Sequence, residues 1–361
     1  MKTSFVERTA AFWRWFDKNE ERLADMVKNR ESYDMEEVVA AYSEGVHIIS
    51  EDIHFNVGGD YEFTFAVSGR DYLFYLLPYV VSNMPEKYRG KWHFYPYMQS
   101  TRGQDFGLRM HGANIDAGKV MISLSIEENA SKADIQFYCK ELASLPENEC
   151  YSAFYVIMET IIGEGLTRAC VGNVELAKKR GLTMFPLTKL EEKLVQKLCK
   201  DGKIPDPAEQ YFTYQIEPRE DDMLRSDIFI GTGNFGAIIN DYYAGDGECF
   251  NDFAGCGATA AFLFYSYDKE SEQKEVLTQR YEIMDRLEAE VLGERGSEKI
   301  IGLMLGGAMG KQYAYIDMLL YDLQAFADKA RDVLKDYPRN FSLSEFKRNG
   351  DILISDALSE Y

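Results

Sequence analysis

The sequence has no C-x-x-C pair, and its six cysteines (Cys139, Cys150, Cys170, Cys199, Cys249 and Cys256) are scattered along 361 residues. That density is too low for a disulfide framework, so the thiols read as reduced and mostly buried. No apolar run approaches the roughly 18 residues of a spanning helix, and charge enters at Lys2, which leaves no apolar stretch for a secretory leader. A cytoplasmic protein that stays out of membranes is therefore expected. Basic residues are in deficit, 40 Lys and Arg against 60 Asp and Glu, for a formal charge of −20. Such a field repels a phosphate backbone, argues against a nucleic-acid partner and favours a basic protein surface. The motifs G-x-S-x-G, G-x-x-x-x-G-K-[ST] and H-E-x-x-H are all missing, which removes the usual local signatures of serine hydrolysis, P-loop phosphate binding and zinc proteolysis.

What the chain does have is aromatic bulk, 24 Tyr and 22 Phe, which suits sheet faces and can hold a core together without many leucines. Ser4 followed by Glu7 is a capping box. Behind it Phe5, Phe12, Phe16, Leu23 and Val27, widened by Trp13 and Met26, form the stripe of a helix opposite Lys18, Glu21 and Arg22. A second helix is expected from residue 35, closed by Gly45. Two strands within 46–57 and 61–68 flank Gly58-Gly59-Asp60 as a hairpin. Residues 71–81 read as helix, 91–98, 107–112, 120–126 and 134–139 as strands, 151–162 as a helix ended by Gly163, and 166–171 as a further strand. Thr188 and Glu191 are placed to cap a helix over 189–200, ended by Gly202 and followed by Pro205 and Pro207. In the second half come a strand at 211–216, a strand, glycine turn and short helix around GTGNFG, an apolar strand after Gly257, and an amphipathic helix over 272–292. The glycines of GGAMG (306–310) then suit a hairpin between two apolar strands, and a helix over 320–335 closes the series. This alternation of hairpins and amphipathic helices, without a strict βαβα order, makes the fold class α+β. The length favours two domains, 1–203 and 204–361, each a largely antiparallel sheet with helices packed on it.

Candidate chemistry concentrates between Arg225 and Tyr267. Gly231, Gly233 and Gly236 match G-x-G-x-x-G after a short strand, the setting in which glycines let a pyrophosphate approach N–H groups at a helix start. Gly245 interrupts the following helix, and no parallel strand ending in an acid follows, so a strand-to-helix turn needing positive φ accounts for the glycines more simply. Cys256, between Gly255 and Gly257, has the setting of an exposed nucleophile, but a thiolate needs a base and all four histidines (His47, His54, His93, His111) lie in the first half. His47 and His54 are seven apart on what reads as one strand and so face opposite sides of the sheet, which opposes a metal site. Asp241, Asp246, Glu248 and Asp252 crowd one loop without the order of a calcium-binding loop. No cofactor and no metal is expected.

Four stretches, FWRWFDKNEERL (12–23), LRSDIFIG (224–231), GCGATAAFLFYSYD (255–268) and LGGAMGKQYAYIDMLLYDL (305–323), resemble segments of bacterial two-domain proteins of unknown function. The resemblance implies a bacterial cytoplasmic origin and no catalytic residues. Acidic, aromatic-rich α+β proteins of this style also resemble immunity proteins that neutralise basic toxins, an analogy of class alone. The sequence is read as a non-catalytic binding or interaction protein for a basic partner. The alternative is an enzyme or nucleotide binder using the glycine turns at 231–236 and 255–257. If the boundary near residue 204 is placed well, limited proteolysis cuts first between Lys200 and Tyr211, and a protected segment with cleavage elsewhere shows it misplaced.

Overall fold

The computed structural model describes residues 3–127, 130–219, 221, 223–268, 273–295, 297 and 299–354. The fold is α+β. Helix α1 (Phe5–Lys28) begins at the expected capping box, with Ser4 N donating to Glu7 Oε2 at 2.9 Å and Glu7 N to Ser4 Oγ at 3.3 Å. With α2 (Met35–Ile49) it covers one face of a three-stranded sheet, β1 (His54–Gly58), β2 (Glu62–Ala66) and β3 (His93–Tyr95), where β2 pairs antiparallel with β1 and parallel with β3. Phe12, Trp13 and Phe16 of α1 meet Phe65, Phe94 and Trp92 at ring separations of 4.9–6.4 Å. Full burial of each such ring contributes roughly 1.5–3 kcal/mol, so this aromatic stack is the main attachment of α1. Helix α3 (Leu77–Ser82) follows and accepts the Trp13 indole N–H at Val80 O, 2.9 Å.

Residues 107–198 build a different layer. Strands β4 (Gly107–Met110) and β5 (Ala113–Asp116) form a small hairpin, and β6 (Met121–Ser125), β7 (Ala133–Tyr138), β8 (Val171–Leu176) and β9 (Phe185–Pro186) form a sheet of order β8-β7-β6-β9. Helices α4 (Glu147–Ile162), α5 (Glu164–Cys170) and α6 (Leu190–Leu198) cover it, and its buried side chains, from Ile115 to Cys199, form their own hydrophobic cluster.

The remaining strands, β10 (Phe212–Gln215), β11 (Ile228–Gly233), β12 (Thr259–Ser266), β13 (Gly302–Gly310), β14 (Tyr313–Leu320), β15 (Phe341–Glu345) and β16 (Ile352–Ile354), make one antiparallel sheet of order β10-β11-β13-β14-β12-β15-β16. One face packs α9 (Gln273–Arg286) and α10 (Leu323–Leu334). The other, with α7 (Gly236–Ala244) and α8 (Glu248–Gly255), shares a single cluster with side chains from Phe5 to Phe94. Phe5 N donates to Gly257 O at 2.9 Å, and its ring lies 5.1 Å from Tyr321. The buried clusters thus do not follow the two halves of the chain. Residues 5–94 and 208–346 contribute to one, and 115–199 hold another.

Several local expectations change. His47 lies in the last turn of α2 and only His54 belongs to a strand, so the pair never shared one; the apolar spacing of 38, 41, 42, 45, 46 and 49 is helical and buries that face. Residues 164–170 are helical, with the strand starting at Val171, because Gly163 at φ 79° lets the chain turn from α4 straight into α5. The expected strand at 107–112 ends at Met110 and turns back as β5. Thr188 does not cap α6, whose N-cap is Lys189 without a side-chain bond; Glu191 instead accepts from Ser100 Oγ. The helix expected over 272–292 is α-helical to Arg286 and π-helical from Leu287 to Leu292, while Glu272 lies outside the described residues. GGAMG is not the hairpin turn. It lies within β13, with Gly306 at φ 138° in a bulge where a Cβ would collide with Thr232 O, and the turn falls at Lys311-Gln312. Asp227 fixes that turn, accepting from Gln312 N at 2.8 Å and Tyr313 N at 3.1 Å.

Beneath the sheet centre Arg225 is fully buried and pairs with Asp317, Nη1 to Oδ1 at 2.5 Å and Nη2 to Oδ2 at 3.1 Å. Its guanidinium lies within 4.4–5.6 Å of the ring centres of Phe346, Phe262, Tyr315 and Tyr242. Removing one partner strands a buried charge. Asp317→Ala is expected to destabilise by about 3–5 kcal/mol, and Arg225→Met with Asp317→Leu together to recover most of that loss. Urea unfolding of the single and double variants checks both.

Candidate functional site

A cleft of about 1000 Å³ opens between the face of β1–β3 turned away from α1, the loop 95–102, the α5 and α6 edge, and residues 204–206. Strand register places its floor. Asn56 pairs with Thr64 and Thr64 with Tyr95, so an amide, a hydroxyl and a phenol stand in one row across three strands. Alternation along the strands sends Phe55, Phe63, Phe65 and Phe94 to the opposite face and into the aromatic core. Glu62, Arg102, Glu191 and Asp206 complete the polar wall. The wall is pinned by Glu164, only 3% exposed, whose carboxylate accepts from Ser68 N at 2.6 Å, Met98 N at 2.8 Å and Val67 N at 3.0 Å. This carboxylate satisfies three otherwise orphaned donors and ties α5 to the first sheet's loops. Ser100 Oγ lies against Ile161 O at 2.8 Å, contacts Glu191 and accepts from Arg102 N at 2.8 Å.

The glycines singled out in sequence lie elsewhere, in and just after the second strand of the seven-stranded sheet. Gly231 and Gly233 are in β11 and Gly236 opens α7, which Gly245 ends at φ 89°, so the strand, turn and helix stand where expected. None of these three glycines has positive φ, which corrects that explanation. They are glycine because of what covers them: a Cβ at 231 would enter the Tyr214 ring, one at 233 would sit 3.0 Å from Ile239 Cδ1, and one at 236 would sit 3.2 Å from Phe212 Cζ. β11 pairs antiparallel on both sides, unlike the parallel strand of a dinucleotide fold. Between the glycines Asn234 is held by its N–H to Leu305 O, its amide to Met304 O and Tyr75 Oη on its carbonyl.

Cys256 is fully buried at the end of α8, and burial pushes its thiol up to about 11 against the opposing effects of Ser50 and Arg8. The groups acting on it include no histidine, so the pairing a nucleophilic thiolate needs is not assembled. His47 ends α2, His54 starts β1 beside Ser68 Oγ at 3.3 Å, His93 starts β3, and His111 sits in the β4–β5 turn at φ 50°, 4.0 Å from Glu149. Among the described residues no group of three or more His, Cys, Asp or Glu is placed to hold a metal ion, and no helix is long and apolar enough to cross a membrane.

The acidic loop is divided in its roles. Asp241 accepts from Glu248 N at 3.0 Å and Cys249 N at 3.1 Å, and so caps α8. Asp52, Glu248 and Asp252 are exposed as residues, and Asp52 and Glu248 both act on the Asp252 carboxyl. The Asp252 carboxyl is raised by partial burial and then by Asp52, Glu248 and Asp241, with Arg70 opposing. Cys249 is pushed up to about 12 by burial first and then by Asp241, Asp252, Glu248 and Asp71. Sequence reasoning found this loop but not Asp52, which a different element brings to it. It also missed the cleft, whose floor needs the β2–β3 pairing across residues 67–92.

Compared with protein families, curated proteins and solved structures, the chain matches none.

Below the cleft, Glu159 on α4 is pushed up to about 7 from an ordinary value of 4.5, by burial first and then by Glu164 and Asp71. Because the folded value is the higher one, Glu159 contributes its full stability below pH 4.5 and loses it as pH rises to about 7. The loss amounts to about 3 kcal/mol at most. Glu159→Gln removes this slope, so the stability difference between variant and parent, measured by urea unfolding from pH 4 to pH 8, is expected to grow in the variant's favour through that window.

Proposed function

We propose that the protein acts by binding rather than by catalysis, and that it takes a basic protein partner on the face formed by Asp52, Glu248 and Asp252, with Asp241 behind them. The observation that carries this reading is that Asp52 and the loop carboxylates Glu248 and Asp252, from separate elements, are all exposed and act on one another; the Asp252 carboxyl is raised first by burial and then by Asp52, Glu248 and Asp241. Carboxylates held in mutual repulsion bind a cationic surface with extra gain, since the partner relieves a cost already present in the free protein. The net charge of −20 steers such a partner at long range. The reading matches the class of immunity-type proteins and a cytoplasmic setting, both of which remain part of the proposal.

The test separates this face from bulk charge. An oligolysine peptide is titrated calorimetrically into the parent, into Asp52→Asn, Glu248→Gln, Asp252→Asn, and into a control with the exposed Glu36, Glu37 and Asp285 changed to their amides. The first triple is expected to weaken binding roughly tenfold more than the control and to flatten its salt dependence. Equal weakening overturns the proposed face. A nucleotide at the 231–236 turn is the rival. A ligand at a hundredfold excess over its Kd stabilises the folded state by about 2.7 kcal/mol, so a melting-point rise of several degrees with NAD, ATP or GTP moves the rival first.

A further inference from the structure

We infer that the cleft over β1–β3 is a binding site for a neutral polyhydroxylated ligand, an oligosaccharide of at least two rings. This site is separate from the acidic face, and its chemistry is different.

The charges in the cleft are largely used within the protein. Glu191 is engaged by Ser100. Asp206 accepts from Arg295 Nη2 at 3.0 Å and Ala208 N at 2.8 Å. Glu62 and Arg102 remain, and their charges are opposite. Glu191 keeps its charge under a neutral hydroxyl, so with Arg295 counted the cleft sets three carboxylates (Glu62, Glu191, Asp206) against two guanidinium groups (Arg102, Arg295) and lies one negative charge from balance, which repels a polyanion and draws a polycation only weakly. Asn56 Nδ2 donates to Met98 Sδ at 2.9 Å and Gln99 Nε2 to Tyr97 O at 2.7 Å; an apolar ligand would strip water from the remaining capacity of these amides and from Thr64 and return no hydrogen bonds, a cost that disfavours it. A ligand dense in hydroxyls donates and accepts at each of these groups.

The geometry points the same way. Adjacent strands lie about 4.8 Å apart, so the row Asn56, Thr64, Tyr95 spans roughly 10 Å, the length of two linked sugar rings. Tyr95 supplies at one end a ring face for the C–H side of a sugar and a hydroxyl for its rim. Nearby Tyr97 is braced by Phe74 at 5.4 Å and lies on Gly165, where a Cβ would come within 2.7 Å of the ring. Polar sheet faces are usually plain solvated surfaces. This one is the wall of a cleft of about 1000 Å³, held rigid from behind by four phenylalanines and from the side by Glu164, and rigidity lowers the cost of ordering on binding.

The experiment is saturation-transfer NMR on the full chain with cellobiose, maltose and chitobiose, alongside inorganic phosphate and spermidine. At least one disaccharide is expected to receive saturation at millimolar concentration. Tyr95→Ala and Asn56→Ala are expected to weaken it roughly tenfold each, at melting points within a few degrees of the parent. Thr64→Val, nearly isosteric, serves as a second probe of the same row if either alanine variant folds poorly. The inference is overturned if no disaccharide receives saturation, or if transfer survives the substitutions unchanged. It is also overturned if phosphate binding lost in Arg102→Ala, or spermidine binding lost in Glu62→Gln, is the signal found.

Discussion

The seven-stranded sheet depends on one buried ion pair. Arg225 and Asp317 lie 92 positions apart in sequence, and the bidentate contact fixes the chain three residues before β11 against the middle of β14. Coulomb attraction in a low-dielectric interior is strong, but so is the penalty for removing both charges from water. The surroundings offset that penalty in a particular way. Four aromatic faces surround the guanidinium, Tyr214 Oη accepts a further bond at 3.3 Å, and Tyr315 Oη accepts from Arg225 N while donating to Asp227. Asp227 in turn sets the β13–β14 turn. The position of the hairpin, the bulge at Gly306 and the docking of α7 through Tyr242 and Tyr243, whose hydroxyls bond Leu224 O and Arg225 O, all follow from a charge placed where a hydrophobic residue would be ordinary.

That centre left a trace in the sequence. YAYIDMLL carries one acid in an apolar run, at the same parity as its two tyrosines, and RSDIFI has an arginine just before a strand. An unpaired acid in a buried strand requires a cation, and searching for one was possible from sequence alone. What periodicity did yield was α1 with its capping box, the β1–β2 hairpin, α4 ended by Gly163, and the strand, turn and short helix around GTGNFG, because each rests on contacts within a dozen residues. The errors came where distant contacts prevailed over local preference. GGAMG reads as a turn, but Asp227 places the turn two residues later. Residues 166–171 are apolar enough for a strand, yet Glu164 needs the loops at 67–68 and 98, and a helix presents it to them. The cleft was not legible, since its floor joins strands separated by 26 residues and its wall comes from a layer that begins beyond residue 105.

The two proposed sites would use different kinds of recognition. The acidic face presents charges that repel one another and reach far into solvent. The cleft presents neutral hydrogen-bonding groups with charges close to balance, and on the proposed reading acts only at contact. A protein carrying both can be drawn to a partner by one and discriminate by the other.

The shared core of residues 5–94 and 208–346 bears on how the chain is made. A nascent chain emerges N-terminus first. The aromatic face of α1, the β1–β3 sheet and the tyrosines at 75 and 79 leave the ribosome long before Tyr321 and Phe253, against which they close. At 5–20 residues per second the stretch between 95 and 207 alone takes roughly 5–20 s to synthesise. During that interval the side chains of the 115–199 cluster are all synthesised, while the aromatic side chains of the earlier segment still lack their partners from 208–346. Order of synthesis therefore leaves the first segment to wait for the last to complete its core, while the middle layer has its core partners already in hand.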